Sequence, residues 1–201
     1  MSIKSEMMKL KAKIEACNKC GFEDNITRGL RRFGTWFENR DIIVLGEAPG
    51  VSFSDPTLNL KINAYIKAIK GNIIGKYLEY LDLSFKEIFF TNLVKCPQKG
   101  RPPDYAIKNC SKYFEKQLKL IKPKVVIPLG RVPTEYLLKS EPIMIREHTT
   151  WFKRDDRDFL IVPLYHPGFF LKQSDKSNQK EKAKRTVRSI KALIKRHSKG
   201  D

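Results

Sequence analysis

The chain has 201 residues, enough for one domain that buries a stable core without disulfides. Apolar residues make up 41% and charged residues 31%, which excludes a disordered chain, and no apolar run approaches the roughly 20 residues of a membrane helix. Forty Lys and Arg against 22 Asp and Glu leave a net charge of +18, so the expected partner is a polyanion, nucleic acid first. The segment from Met1 to Lys13 mixes lysines and glutamate with apolar residues and has no signal-peptide core. A cytoplasmic, intracellular protein without membrane association is expected.

Met7, Leu10 and Ile14 recur at helical spacing and predict a short first helix that stops at Cys17, with Gly21 just beyond. Four apolar bursts of strand length follow, Ile42 to Leu45, Ile88 to Phe90, Val125 to Leu129 and Leu160 to Leu164. Asn63 to Leu81 and Tyr105 to Ile121 read as helices between them. Continuous apolar strands alternating with helices predict an α/β fold, a three-layer α/β/α sandwich around a central four-stranded parallel sheet. No repeat or long linker divides the chain, so residues 1–201 are expected to form a single domain. Residues 172–201 are a basic segment with 11 basic and 3 acidic residues. Within it Ala183, Val187, Ile190 and Ile194 mark one face of a helix. Lys184, Arg185, Arg188 and Lys191 remain on its other faces, where they are candidates for phosphate contact.

In open α/β sheets, ligands bind beyond the carboxyl ends of the strands. The first strand runs into Gly46-Glu47-Ala48-Pro49-Gly50 and the second into Thr91-Asn92-Leu93-Val94-Lys95-Cys96-Pro97. The third ends at Gly130-Arg131 and the fourth at Tyr165-His166-Pro167-Gly168. A carboxylate, a carboxamide and an imidazole thus converge on one sheet edge. The four cysteines, Cys17, Cys20, Cys96 and Cys110, suffice for one tetrathiolate site. Their spacing alone leaves zinc and an iron–sulfur cluster open. The loop between Cys96 and Cys110, with Lys95, Lys99, Arg101 and Lys108, is a candidate phosphate-binding surface.

Gly-Glu-Ala-Pro-Gly after the first strand, Thr-Asn-x-Val-Lys-Cys after the second, His-Pro after the last and the cysteine pattern together resemble the iron–sulfur (family four) uracil-DNA glycosylases. The resemblance implies a DNA repair hydrolase that removes uracil by base flipping, with a [4Fe–4S] cluster on Cys17, Cys20, Cys96 and Cys110. It also implies action as a monomer on uracil-containing DNA, with a sliding clamp or other repair proteins as candidate partners. Asn92 would read the base, since a carboxamide offers the donor and acceptor that match uracil O4 and N3–H. His166 would stabilise the departing base at O2, Glu47 would orient water or the cationic sugar, and the backbone at Ala48 would assist at O2. Gly168 and Phe170 fall in the loop that wedges into the minor groove in this family.

The chain departs from the family pattern after its first motif. Phe53-Ser54 stands where an acidic pair is usual, and Asp55 to Leu60 lacks the Pro-Phe whose aromatic stacks on the base. Phe53 is the nearest stacking candidate. The departure raises two alternatives, a same-fold glycosylase for hypoxanthine or xanthine, and a catalytically silent iron–sulfur DNA-binding protein.

Overall fold

The computed structural model describes residues 2–22, 33–35, 40–50, 71–139, 150–154, 157–171 and 177–197. In chain order the elements are α1 (Ile3–Glu15), β1 (Ile42–Gly46), α2 (Ile73–Tyr80), β2 (Ile88–Asn92) and α3 (Asp104–Ile121). They continue with β3 (Val125–Pro128), α4 (Arg131–Leu138), β4 (Thr150–Arg154), β5 (Arg157–Ile161), a 3-10 turn (Pro167–Leu171) and α5 (Ser177–His197). Of the expected helix from Asn63 to Leu81, the described residues carry Gly71 and Ile73 to Tyr80 as helix, with a bend at Asn72 between them. Its start is set by Asn72, whose side chain accepts from the amides of Ile74 and Gly75.

The sheet runs β2-β1-β3-β5-β4. The first four strands are parallel, as the apolar bursts imply. The fifth, β4, is antiparallel to β5 and was not expected from the sequence. Its pairing carries Arg154 opposite Arg157, so β5 begins in charged residues and ends at Ile161, earlier than the run from Leu160 to Leu164 suggests. Leu164 still touches the sheet through an isolated bridge to Leu129.

Alternation along the strands divides the core into two layers. Ile42, Val44, Ile88, Phe90, Val125 and Ile127 join Tyr77 and Leu78 of α2 and Ala183, Val187 and Ile190 of α5 on one face. Ile43, Leu45, Phe89 and Val126 face the other way, onto Met7, Leu10 and Ile14 of α1, Phe114 and Leu118 of α3, and Val132 and Leu137 of α4. Side chains such as Ile43 and Phe89 are wholly buried, each worth roughly 1.5–3 kcal/mol of transfer free energy. Both sheet faces are therefore helix-covered, and the three-layer α/β/α architecture holds. No helix among the described residues is long and apolar enough to cross a membrane.

Candidate active site

The carboxyl ends of β2, β1, β3 and β5 lie side by side along one edge. Register aligns Gly46, the last residue of β1, with Asn92, the last residue of β2. The Asn92 side chain lies across Gly46 so closely that a Cβ on Gly46 would stand 2.3 Å from its Oδ1. Asn92 is only 4% exposed, yet no hydrogen bond among the described residues engages its carboxamide. Its amide nitrogen and oxygen are not among the fully enclosed polar atoms that lack a partner, so they face the open edge, where a ligand's donor and acceptor can meet them.

Glu47 follows Gly46 directly, half-buried at the centre of the edge. Burial raises its carboxyl above the ordinary glutamate range, while the nearby guanidiniums of Arg101 and Arg131 pull it back down. Arg131 also pairs with Glu135 at 3.2 Å and Arg101 lies 3.6 Å from Asp104. Ala48, next along, is partly buried against the α3 side of the core. Two arginines flanking a carboxylate suit it to a site that meets both phosphate and a developing cation.

His166 arrives from beyond β5 and is built in by glycines on both sides. Gly130 adopts φ +88, a conformation glycine takes freely, and a Cβ there would meet the His166 Cβ at 3.1 Å. A Cβ on Gly168 would lie 3.1 Å from Nδ1, and the Gly168 N–H donates to that same atom at 3.1 Å. Nδ1 is thus an acceptor, which leaves the proton of the neutral ring on Nε2. Desolvation lowers the His166 pKa below its ordinary value, and neutral imidazole with an outward Nε2–H is the favoured form.

Beneath Asn92 lies a group the sequence reading placed elsewhere. Lys95 was expected on a phosphate-binding surface, but it is 1% exposed. Its Nζ donates to Thr91 Oγ1 at 2.8 Å, to the Asn92 carbonyl at 2.6 Å and to Gln117 Oε1 at 2.7 Å. Burial pushes this ammonium down to about 7, against the opposing pull of a charged Cys110. The Gln117 amide and the Thr91 hydroxyl in turn donate to the Phe33 carbonyl at 2.8 and 2.9 Å. A lysine cannot sit in an apolar core without such acceptors, so its place is inside and the surface reading is corrected. The available signal was Gln117, a polar residue between Phe114 and Leu118 on the apolar face of α3.

All four cysteines line one small cavity, together with Asn18, Lys19, Phe22, Val94 and Asn109. Cys96 and Cys110 are buried and Cys17 and Cys20 partly so, all without disulfides. The Lys95 N–H donates to Cys110 Sγ at 3.1 Å and Asn109 Nδ2 to Cys20 Sγ at 3.8 Å. Burial raises the Cys110 thiol, with the charges of Cys17 and Cys20 adding to the rise and Lys95 opposing it. Among the described residues no three Cys, His, Asp or Glu are arranged to hold a single metal ion. A soft, all-sulfur donor set with N–H groups aimed at its sulfurs fits a thiolate-bound cluster.

Phe169 and Phe170 lie in the 3-10 turn after His166. Phe169 stacks on Tyr165 at 4.2 Å between centroids, and Phe170 packs on Tyr77 at 5.5 Å with Lys180 Nζ 5.2 Å above its ring. On α5, Arg188 is exposed and Arg185 pairs with Glu181 at 3.7 Å. Lys191 is committed elsewhere, bonding the Asp82 carbonyl at 2.7 Å and Glu87 at 3.2 Å. Phe53 and the Asp55 to Leu60 stretch lie outside the described residues. The fold brings Glu47, Asn92 and His166 to one edge, as the sequence reading expects, and adds the contacts of Gly46, Lys95, Thr91 and Gln117, which that reading does not anticipate.

Comparison with known proteins adds to this geometry. Residues 34–188 match the family model of the uracil DNA glycosylase superfamily. The type-4 uracil-DNA glycosylase of Sulfurisphaera tokodaii is 26% identical over 199 residues, covering 94% of this chain and 87% of the relative. That of Saccharolobus solfataricus is 29% identical over 168 residues, covering 77% and 72%. That of Archaeoglobus fulgidus is 24% identical over 166 residues, covering 79% of each.

The His166 environment makes a direct prediction. His166 is exposed at the edge, yet the protein around its ring partly desolvates it, and this together with the Gly168 N–H disfavours protonation, so the imidazole should stay neutral at pH values where a free histidine is half charged. Ring nitrogen chemical shifts followed through a pH titration are expected to show an Nε2–H tautomer with a midpoint below that of free histidine. A midpoint above it, or an Nδ1–H tautomer, would contradict the arrangement described.

Proposed function

The chain belongs to the uracil-DNA glycosylase superfamily, and from that membership we propose that it hydrolyses the N-glycosidic bond of deoxyuridine in DNA and releases uracil. The single observation that carries this reading is the Asn92 carboxamide, buried against Gly46 with no hydrogen-bond partner among the described residues. Its donor and acceptor complement uracil O4 and N3–H, whereas cytosine reverses that pattern. Three inter-strand steps of about 4.8 Å separate the ends of β2 and β5. A flipped pyrimidine fits between a reader on one strand and a hydrogen-bond donor on the other.

In the reaction the bond between C1′ and N1 breaks, water adds its hydroxyl to C1′, and the water proton ends on the released base. The neutral His166 donates from Nε2 to O2, a bond that strengthens as negative charge gathers there. Glu47, whose carboxyl feels the charges of Arg101 and Arg131, orients the water or the cationic sugar, and the backbone at Ala48 adds a donor near O2. The glycine at Gly168 keeps the imidazole's approach open. Phe170 is the wedge, and entry into the minor groove exchanges its packing on Tyr77 for a base step. Arg185 and Arg188 on α5 meet phosphates. The alternatives of a hypoxanthine or xanthine glycosylase and a silent DNA-binding protein draw no support from relatives named as type-4 uracil-DNA glycosylases.

Cys17, Cys20, Cys96 and Cys110 hold a [4Fe–4S] cluster in this reading. When bound it supplies a covalent tie between the segment after α1 and the loop before α3, with zinc as the other metal that four thiolates accept.

Two experiments test the proposal. Wild-type protein should release free uracil from a uracil-containing oligonucleotide, and His166→Ala should slow the single-turnover rate roughly a hundredfold with DNA affinity nearly unchanged. A parental rate in that variant would refute the role given to His166, and no release by wild type would refute the function. Protein purified without oxygen should be brown and contain iron and sulfide, and Cys96→Ala should lose the colour and melt at a lower temperature. Colourless protein with one equivalent of zinc would overturn the cluster.

A further inference from the structure

Lys95 is the largest polar side chain that the described core buries completely, and the chemistry above does not use it. Its ammonium has three acceptors, Thr91 Oγ1, the Asn92 carbonyl and Gln117 Oε1. Taking such a charge out of water is expensive, and a methionine of the same length would usually serve stability as well or better. What the ammonium achieves is local. The carbonyl of the Asn92–Leu93 peptide is held by Lys95, and the N–H of the same peptide donates to the Gly46 carbonyl at 2.9 Å. A peptide group pinned at both ends cannot rotate. The direction in which Asn92 projects its side chain over Gly46 is fixed with it.

The other partners make this anchor rigid. Gln117 belongs to α3, and Thr91 and Gln117 both donate to the Phe33 carbonyl. Thr35, two residues on, donates its N–H to the Phe90 carbonyl at 2.9 Å and accepts from the Phe90 N–H through Oγ1 at 3.0 Å. A helix, the last turn of a strand and a segment flanking the sheet therefore converge on one cation. Backbone N–H of the same lysine is tied to Cys110 Sγ.

We propose that Lys95 is a positioning residue for base selection, which orients the Asn92 carboxamide toward the flipped base through the Asn92–Leu93 peptide. The proposal rests on Asn92 being the base reader, and the test separates the two. Duplexes carrying a 2′-fluorinated deoxyuridine that resists hydrolysis, or deoxycytidine at the same place, whose donor and acceptor are reversed, serve as probes. Their affinities are measured for wild type, Lys95→Met, Asn92→Ala and the double variant, each checked for folding by circular dichroism at the assay temperature.

Lys95→Met should cut the preference for the uracil duplex about tenfold while leaving cytosine-duplex affinity unchanged. The double variant should be no worse than Asn92→Ala, since a residue acting through another has nothing left to lose once that other is gone. Additive losses, or a retained preference in Lys95→Met when Asn92→Ala has lost it, would overturn the role of Lys95 alone. A retained preference in Asn92→Ala would instead overturn the reading of Asn92. Should Lys95→Met fail to fold, Gln117→Met removes one acceptor from the anchor without touching Asn92. It should lower the preference in the same non-additive way, and an unchanged preference there would equally sink the proposal.

Discussion

The placement of the Asn92 carboxamide at the sheet edge depends on the absence of a side chain at Gly46. Parallel register puts this residue opposite Asn92, and the carboxamide occupies the volume that any Cβ would fill. The constraint is steric and local, unlike the hydrophobic layers that make the sheet itself. It decides where the carboxamide goes. With Gly46 clearing the space and the Gly46 carbonyl holding the Leu93 N–H, the last turn of β2 becomes a fixed platform rather than a fraying strand end.

From that platform the site divides its work along the edge. A buried carboxamide stands on β2, a half-buried carboxylate between two arginines follows β1, and a neutral imidazole follows β5. Each group is tuned by a different means. Packing against Gly46 acts on Asn92, burial against positive charge on Glu47, and a backbone N–H on Nδ1 of His166. The cysteine cavity lies just beyond, joined to the platform by Lys95, whose side chain faces Asn92 while its N–H faces Cys110. Stability of that region and aim of the carboxamide are thereby coupled through one residue.

Much of this was legible in the sequence, for reasons that differ by element. The bursts at Ile42, Ile88 and Val125 are apolar on both faces, which only a strand covered on both sides requires, and they appear as parallel strands. Polar residues placed directly after such strands mark a candidate edge site, and the fold does bring Glu47, Asn92 and His166 to that one edge. The antiparallel edge strand Thr150–Arg154 was not, because an edge strand buries less and so carries no continuous apolar run. Lys95 was misplaced because a lysine at the head of the loop that runs from Cys96 to Cys110, grouped with Lys99, Arg101 and Lys108, reads as surface charge. Two of its acceptors are local, but the third, Gln117, comes from 22 residues away, a pairing only the fold creates. The closeness of Gly46 to Asn92 was equally invisible, since register cannot be read from either strand alone.

The most direct test of the account is the Gly46→Ala protein, in which one methyl group enters the space of the Asn92 carboxamide. The atom it meets is the far end of a side chain, so the fold should survive with a small loss of melting temperature. Uracil release in a single turnover should fall roughly a hundredfold, as for loss of one directed hydrogen bond in the transition state. Parental release by a folded Gly46→Ala protein would contradict the claim that Asn92, held over Gly46, reads the base.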